Sequence, residues 1–301
     1  MAFTLRKYDA IKGKKIQLFL IQNLKFDPKI GQRLTSKGRI FDENMNQINA
    51  GDEIPTEHIF IAVFEGQTKG LKPLLEFEDF AIFDKPTNLM VHPISKNTSY
   101  SLLDEIRYHF GENANLIHRI DAETSGLVIV GKNKKSEIEL KDMFQEKKYH
   151  KSYLAIVQGE IKEELKIDKA LDREGKAIGV RMKVCTQEEG GKESITIIKP
   201  IIYDKEKNLT LVEALPLTGR QHQIRVHLHS MGHTILGDPI YGVDDENAEN
   251  YLNKTLSKED RFKVTKSHRL WLHANYLEFN YKDVTYKIFS KNRDLYNQFT
   301  S

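Results

Sequence analysis

The sequence predicts an α+β fold: a small α/β module followed by a larger domain built on an antiparallel-rich mixed sheet with flanking helices. Three observations predict it. The chain has 301 residues, 39% hydrophobic and 30% charged, a globular balance with length for one large domain plus a small one. From Leu74 onward strand-like runs follow one another with few helices between them, which argues against a doubly wound parallel sheet. Charge is also uneven along the chain. Residues 1–40 carry ten Lys and Arg against two acids, and residues 41–65 carry six acids and no Lys or Arg. A basic stretch of this kind suits a phosphate backbone, or else a solvated face.

The module comes first. Lys14 to Leu24 has helical apolar spacing, with Leu18, Ile21 and Leu24 near one face. Asp27-Pro28 reads as a second helix start, Asp27 as N-cap and Pro28 at the first helical position. That helix runs to Ser36 and Gly38 closes it. RIFDENMNQINAGDEI then gives a short strand, a polar turn and another strand ending at Gly51-Asp52. Residues 66–72 (GQTKGLK) read as a connection. The expected division is a module at 1–66, a linker at 67–73 and a second domain at 74–301.

In the second domain LLEF and FAIFDKP are strand-like. Ser101 with Asp104 resembles a capping box opening a helix striped by Leu103, Ile106 and Phe110. Residues 117–132 read IHRIDAETSGLVIVGK. This stretch packs His118, Arg119 and Asp121 into four residues, turns at Thr124, Ser125 and Gly126, and enters the buried-strand run Leu127 to Val130. The pattern fits a rigidly supported acid in a cleft, or a capped turn carrying a surface ion pair. Ser136 to Lys147 is a second amphipathic helix. HKSYLAIVQGE, GVRMKVC, SITIIKPIIY and LTLVEALP are strands. Cys185 is the single cysteine, so no internal disulfide or multi-thiolate zinc site is expected. It reads as a packed small hydrophobe in a chain suited to a reducing cytoplasm. No apolar run is long enough to span a membrane.

Residues 217–242 read LTGRQHQIRVHLHSMGHTILGDPIYG. From Gln221 to Met231 the pattern is helical, with Ile224, Leu228 and Met231 facing the core and Arg225, His222 and His229 sharing another face. Gly232 ends the helix. An arginine flanked by histidines after a Gly-Arg turn suits an anion. Metal is the alternative, with His222, His227, His229 and His233 close in sequence. Against it, His227 points elsewhere, no H-E-x-x-H or Cys partner is present, and Arg220 and Arg225 add positive charge. Packed helix histidines are the third reading. No metal is expected.

Four ordered blocks resemble the RluA-type pseudouridine synthases, whose usual substrate is large-subunit ribosomal RNA. HRIDAETSG (118–126) resembles the family's His-Arg-Leu-Asp-x-x-Thr-Ser-Gly, with Ile120 in place of Leu. DKPTNLMVHP (84–93), KSYLAIVQG (151–159) and TGRQHQIRVHL with GH, GD and YG (218–242) resemble three further motifs. LHANYLEF (272–279) weakly resembles a C-terminal strand. The two short helices and hairpin of the module partly resemble the alpha-L RNA-binding motif of a ribosomal small-subunit protein, with Arg33, Lys37 and Arg39 as its basic candidates.

The resemblance implies a central cleft and particular roles. Asp121 corresponds to the catalytic aspartate, Tyr153 to the tyrosine that stacks on the target base, and Arg225 to the arginine paired with the aspartate. Arg119 corresponds to the residue that enters the RNA as the base leaves, and Leu272 to the apolar floor of the uracil pocket. His118, Thr124 and His222 join the substrate-binding set, and Lys85 and Arg220 are read as phosphate contacts. The implied reaction breaks the N1–C1′ bond, turns the uracil and rejoins it through C5, so no cofactor is required. Burial alone disfavours an ionised carboxylate, and a close guanidinium restores it. The implied partner is RNA, ribosomal or transfer, with no obligatory protein partner; a monomer is the default. Two other classes compete. A non-catalytic ribosome-assembly protein on this fold would not need Asp121, Tyr153 and Arg225 together. A glycoside hydrolase needs two carboxyls roughly 5–9.5 Å apart, and Glu123 is the only other acid close to Asp121.

Overall fold

In the computed structural model, which describes residues 3–93, 98–175 and 178–300, the patterned runs resolve into fifteen strands and eight helices among the described residues. Backbone contacts divide them into two compact units, which are taken separately.

The first unit contains the chain up to Leu71 and Asp104–Asn113. Its strands are β1 (Phe3–Asp9), β2 (Ile40–Phe41) and β3 (His58–Phe64), antiparallel in the order β1-β3-β2. Helices α1 (Ile16–Gln22) and α2 (Pro28–Ser36) cover them. Asp27 caps α2 by accepting the Lys29 N–H at 2.9 Å, as the Asp-Pro pair predicts. The apolar face of α1 differs from the expected one. Ile16, Phe19 and Leu20 are buried with Leu34, Ile59 and Ile61, while Leu18 is exposed. The second strand expected before Gly51-Asp52 is reduced to an isolated bridge, Phe41 to Gln47, and Glu53 after that turn bridges Lys15. The segment 67–71 is fastened within this unit. Glu105 accepts from the Thr68 hydroxyl at 2.6 Å and from the Lys69 N–H at 2.5 Å. Residues 104–113 therefore lie with the first unit, whereas the sequence division assigned them to the second domain.

The second unit begins at Lys72. Its elements are β4 (Leu75–Glu76), β5 (Phe80–Lys85), the start of α3 (Leu102–Phe110), β6 (Asn115–Leu116), β7 (Ser125–Gly131) and α4 (Lys134–Gln145). Then come β8 (Tyr149–Gln158), β9 (Leu165–Asp168), β10 (Ala170–Arg173), β11 (Met182–Cys185), β12 (Ile195–Asp204) and β13 (Leu209–Pro216). Helices α5 (Gln223–Ser230), α6 (Asp245–Leu252) and α7 (Lys258–Thr265), strands β14 (Leu272–Tyr281) and β15 (Val284–Phe289), and α8 (Asp294–Thr300) complete it.

Ten of these strands form one mixed sheet in the order β4-β5-β7-β14-β8-β13-β12-β9, with β15 on β14 and β6 on β7. Among the described residues every pairing in it is antiparallel except β7 with β14. The antiparallel-rich α+β prediction is borne out. Strand β7 is buried on both faces, Leu127 to Val130 being at most 2% exposed, which is why its run is continuous and not alternating. Burying four such side chains stabilises the strand by roughly 1.5–3 kcal/mol each, so whatever precedes it rests on a rigid support. No helix among the described residues is long and apolar enough to cross a membrane.

Candidate active site

The HRIDAETSG turn lies between β6 and β7, and its shape follows from how β7 meets its neighbours. Gly126 pairs in parallel with Ala274 of β14 and adopts φ +114°, where a Cβ would collide with the Ala274 backbone N and O. Only glycine fits, which brings the turn against the sheet. On the other side Gly126 faces Lys85 at the end of β5. The Lys85 ammonium is fully buried and donates to the carbonyls of Pro86, Leu89 and Ala122 at 2.8–2.9 Å. It clamps the residue after Asp121 and does not line the cleft, which corrects its reading as a phosphate contact: its donors all point inward. Burial pulls its ammonium down to about 7, against the raising pull of Glu123 and Asp121. Thr87 Oγ1 donates to the Glu123 carbonyl at 2.6 Å, and Thr124 is buried. Asp121 is left projecting with its side chain 23% exposed.

Helix α5 brings the counter-charge. It begins at His222, held in the left-handed region at φ 53°. Gln223 ties this start down. Its Oε1 accepts from Thr218 Oγ1 and the Arg220 N–H, and its Nε2 donates to the Ile195 carbonyl and Thr196 Oγ1. Arg225 follows, 1% exposed. Its Nε and Nη2 donate to both oxygens of Asp238 at 2.7 and 2.8 Å. Its Nη1 donates to Asp121 at 3.3 Å and lies 3.8 Å from Glu123. Burial alone would lower the Arg225 guanidinium, but Asp238, Asp121 and Glu123 raise it well above its ordinary value. Asp238, in the Gly-Asp-Pro stretch after the helix, is the principal partner. It also accepts the N–H groups of Ile240 and Tyr241. Burial pushes its carboxyl up, and Arg225 with those amides holds it below the usual range.

His222 Nε2 lies 3.9 Å from Asp121, and its Nδ1 is 3.0 Å from the Tyr241 hydroxyl. That hydroxyl accepts the Met182 N–H, so its own proton is free to go to Nδ1. The histidine then carries its hydrogen on Nε2, facing Asp121. Burial, and then Arg225, lower His222 to about 4. His118 stacks on Phe144 with centroids 4.9 Å apart, accepts the Ile129 N–H and is lowered to about 3, chiefly by burial. Phe144 stacks in turn on Tyr149 at 4.2 Å.

The third wall is strand β8. Tyr153 is 7% exposed and its phenol is pushed up, first by burial and then by the charge of Asp121. It pairs with Ala214 and Ala274, while Leu272, 4% exposed, pairs with Ala155. Arg119 and Arg220 are exposed, and the Arg220 Nε donates to the Glu193 carbonyl.

These elements enclose a cleft of about 380 Å³. It is lined by nine of the ten residues singled out from the sequence, all but Lys85. Phe144, Tyr149, Lys151, Gln223 and Asp238 were not singled out. Of these, Tyr149 and Lys151 had a usable signal: they precede Tyr153 at two-residue spacing on one strand face. The histidines in and after α5 are separately engaged: His227 with Thr196 and the Lys169 carbonyl, His229 with Thr234, and His233, beyond the helix, with the Gln158 carbonyl. Among the described residues no group of three or more His, Cys, Asp or Glu could hold a metal ion. Met231, expected in the core, is exposed at the helix end.

The cleft thus sets a carboxylate held by a buried arginine beside a buried tyrosine and Leu272 on a mixed sheet. Residues 79–230 match the family model described as RNA pseudouridylate synthase. An uncharacterized RNA pseudouridine synthase of Helicobacter pylori is 38% identical over 96% of this chain and 94% of its own length. The mitochondrial tRNA pseudouridine(32) synthase of Saccharomyces cerevisiae is 31% identical over 69% of this chain and 46% of its own. The ribosomal large subunit pseudouridine synthase D of Zymomonas mobilis is 33% identical over 59% and 58%. Among solved structures, human RNA pseudouridylate synthase domain containing 1 shares the fold, with TM-score 0.61, 24% identity, and coverage of 77% of this chain and 87% of that one. The chain belongs to the RNA pseudouridylate synthase family, as its RluA-type motifs imply, and is an RNA-acting isomerase.

Proposed function

We propose that this chain converts uridine to pseudouridine in large-subunit ribosomal RNA with Asp121 as the catalytic carboxylate. The observation that carries the proposal is the contact of Asp121 with Arg225 at 3.3 Å inside a cleft it shares with Tyr153. The carboxylate acts at the sugar, as nucleophile on C1′ or as base at C2′. Arg225 supplies the counter-charge to it in a partly dry pocket. Tyr153 receives the flipped base, whose extraction from the stack costs a few kcal/mol. Stacking of ~1–3 kcal/mol and Arg119 entering the vacated space offset that cost. Leu272 forms the apolar floor, and His118, Thr124 and His222 shape the pocket. Arg220 contacts phosphate at the rim, and the basic stretch at 1–40 of the first module adds phosphate contacts in a cytoplasmic setting.

Transfer RNA is the second reading, favoured by the mitochondrial yeast relative. Ribosomal and transfer RNA carrying 5-tritiated uridine separate the two through tritium release, and pseudouridine mapping in cells with and without the chain names the position. Asp121→Asn should bind RNA as the unaltered chain does and release no tritium. Measurable turnover by that variant would exclude Asp121.

A further inference from the structure

Lys151 stands two residues before Tyr153 and two after Tyr149, so the three side chains share one face of β8 and line the cleft together. Its Nζ lies 5.4 Å from the Tyr149 ring centroid and 6.0 Å from that of Tyr153. Among the described residues it meets no carboxylate, carbonyl or hydroxyl, which is unusual for a half-buried ammonium. The contrast with Lys85 is complete, since there every ammonium hydrogen has a carbonyl. The other titratable groups facing Lys151 are uncharged: Tyr149 and Tyr153, pushed up by burial, and His118, pushed down. Burial lowers Lys151 itself to about 8.

The remaining cations of the cleft are committed elsewhere. Arg225 divides its donors among Asp238, Asp121 and Glu123, and Arg119 and Arg220 are exposed to water. Isomerisation nevertheless creates a second anion. When the N1–C1′ bond breaks, its electron pair stays on the uracil and spreads over N1, O2 and O4. The ring then uses a pair at C5 to form the C5–C1′ bond, C5 releases its hydrogen as a proton, and N1 takes up a proton. A cation beside the stacking tyrosine, with no carboxylate, carbonyl or hydroxyl partner among the described residues, is placed to lower the energy of that anion.

Building on the uridine-isomerising reading above, we propose that the Lys151 ammonium donates to the carbonyl oxygens of the flipped uracil and stabilises the ring as an anion after glycosidic cleavage, keeping its own proton throughout. The test is single-turnover tritium release at saturating RNA, with RNA affinity measured alongside, for the unaltered chain, K151M and K151R. K151M should slow the step by about 10²–10³-fold, the cost of one such donor, with RNA affinity unchanged, and K151R should recover most of the loss. The unaltered chain should slow above about pH 8 as the ammonium deprotonates, and K151R should carry that decline to higher pH. K151Q replaces K151M if the methionine variant does not fold, and the pH comparison of the two charged forms decides if neither neutral variant does. Full activity in K151M, loss of RNA affinity at an unchanged rate, or a decline that K151R does not move would each overturn the role. An inactive unaltered chain would instead overturn the uridine-isomerising reading itself.

Discussion

Arg225 in the cleft and Arg33 with Arg39 in the first unit all meet carboxylates, but in opposite surroundings. Arg225 is fully buried, and so is its main partner Asp238. Arg33 and Arg39 share Glu112 at 2.6 and 2.7 Å with side chains 34% and 17% exposed. Water screens the second cluster and side-chain freedom offsets its attraction, so its worth is small. In the first cluster the attraction is unscreened, and each charge depends on the other to offset its own desolvation. The comparison also separates function from packing. One oxygen-facing nitrogen of Arg225 is left over for Asp121, whereas the two arginines expected to meet RNA are engaged with an acid of their own unit.

On stability, the largest effect should come from removing the anchor and not the acid it serves. Asp238→Asn leaves a buried guanidinium whose charged partners among the described residues are Asp121 at 3.3 Å and Glu123 at 3.8 Å. Breaking a buried pair in this way costs about 3–5 kcal/mol, read by chemical denaturation. Tritium release should fall as well, because Arg225 is then free to rotate toward the acids in the cleft. A stability loss below about 1 kcal/mol would mean that Asp121 and Glu123 suffice to hold the arginine, and the ranking of its partners would be reversed.

A smaller effect belongs to His222. The folded protein holds it neutral, with its pKa lowered from 6.5 to about 4. Between those values the unfolded chain binds more protons than the folded one, so stability falls as pH drops from 6.5 toward 4 and is unaffected above that window. The contribution is on the order of 1–3 kcal/mol. His222→Asn should flatten that part of the stability curve. An unchanged slope between pH 6.5 and 4 would show that His222 protonates in the folded state without cost, and the hydrogen bond from Tyr241 would have to be reassigned.

What was legible in advance was contiguous. The turn at 118–126 could be read because its acid, its glycine and the strand that supports it are neighbours in sequence. The same holds for the Asp27-Pro28 start of α2. What was missed depends on partners far along the chain. Asp238 in Gly-Asp-Pro looks like a turn former, and only burial against Arg225 distinguishes it. Lys85 beside Pro86 looks like an exposed basic turn, and only the pairing of β5 with β7 turns it inward. Strand β1 escaped because most of its side chains face solvent, so it carries no apolar run. On α1 Leu18 and Phe19 both satisfy a three-and-four spacing, and only packing against Leu34, Ile59 and Ile61 selects Phe19.

The smallest effect tests the other half of the comparison. Glu112→Gln removes the carboxylate shared by Arg33 and Arg39, which are only partly screened from water, and should cost about 1 kcal/mol or less. In a chain of this size that is a fall of roughly 2–4 °C or less in melting temperature. The same change releases two guanidiniums in a basic segment. If the first unit contacts phosphates, RNA affinity should rise at low salt and its dependence on salt should steepen, since each added phosphate contact increases the slope by about one. A stability loss above about 2 kcal/mol would place the Glu112 cluster with the buried one at Arg225. Unchanged affinity and salt slope would remove Arg33 and Arg39 from the RNA surface and leave recognition to the cleft and its rim.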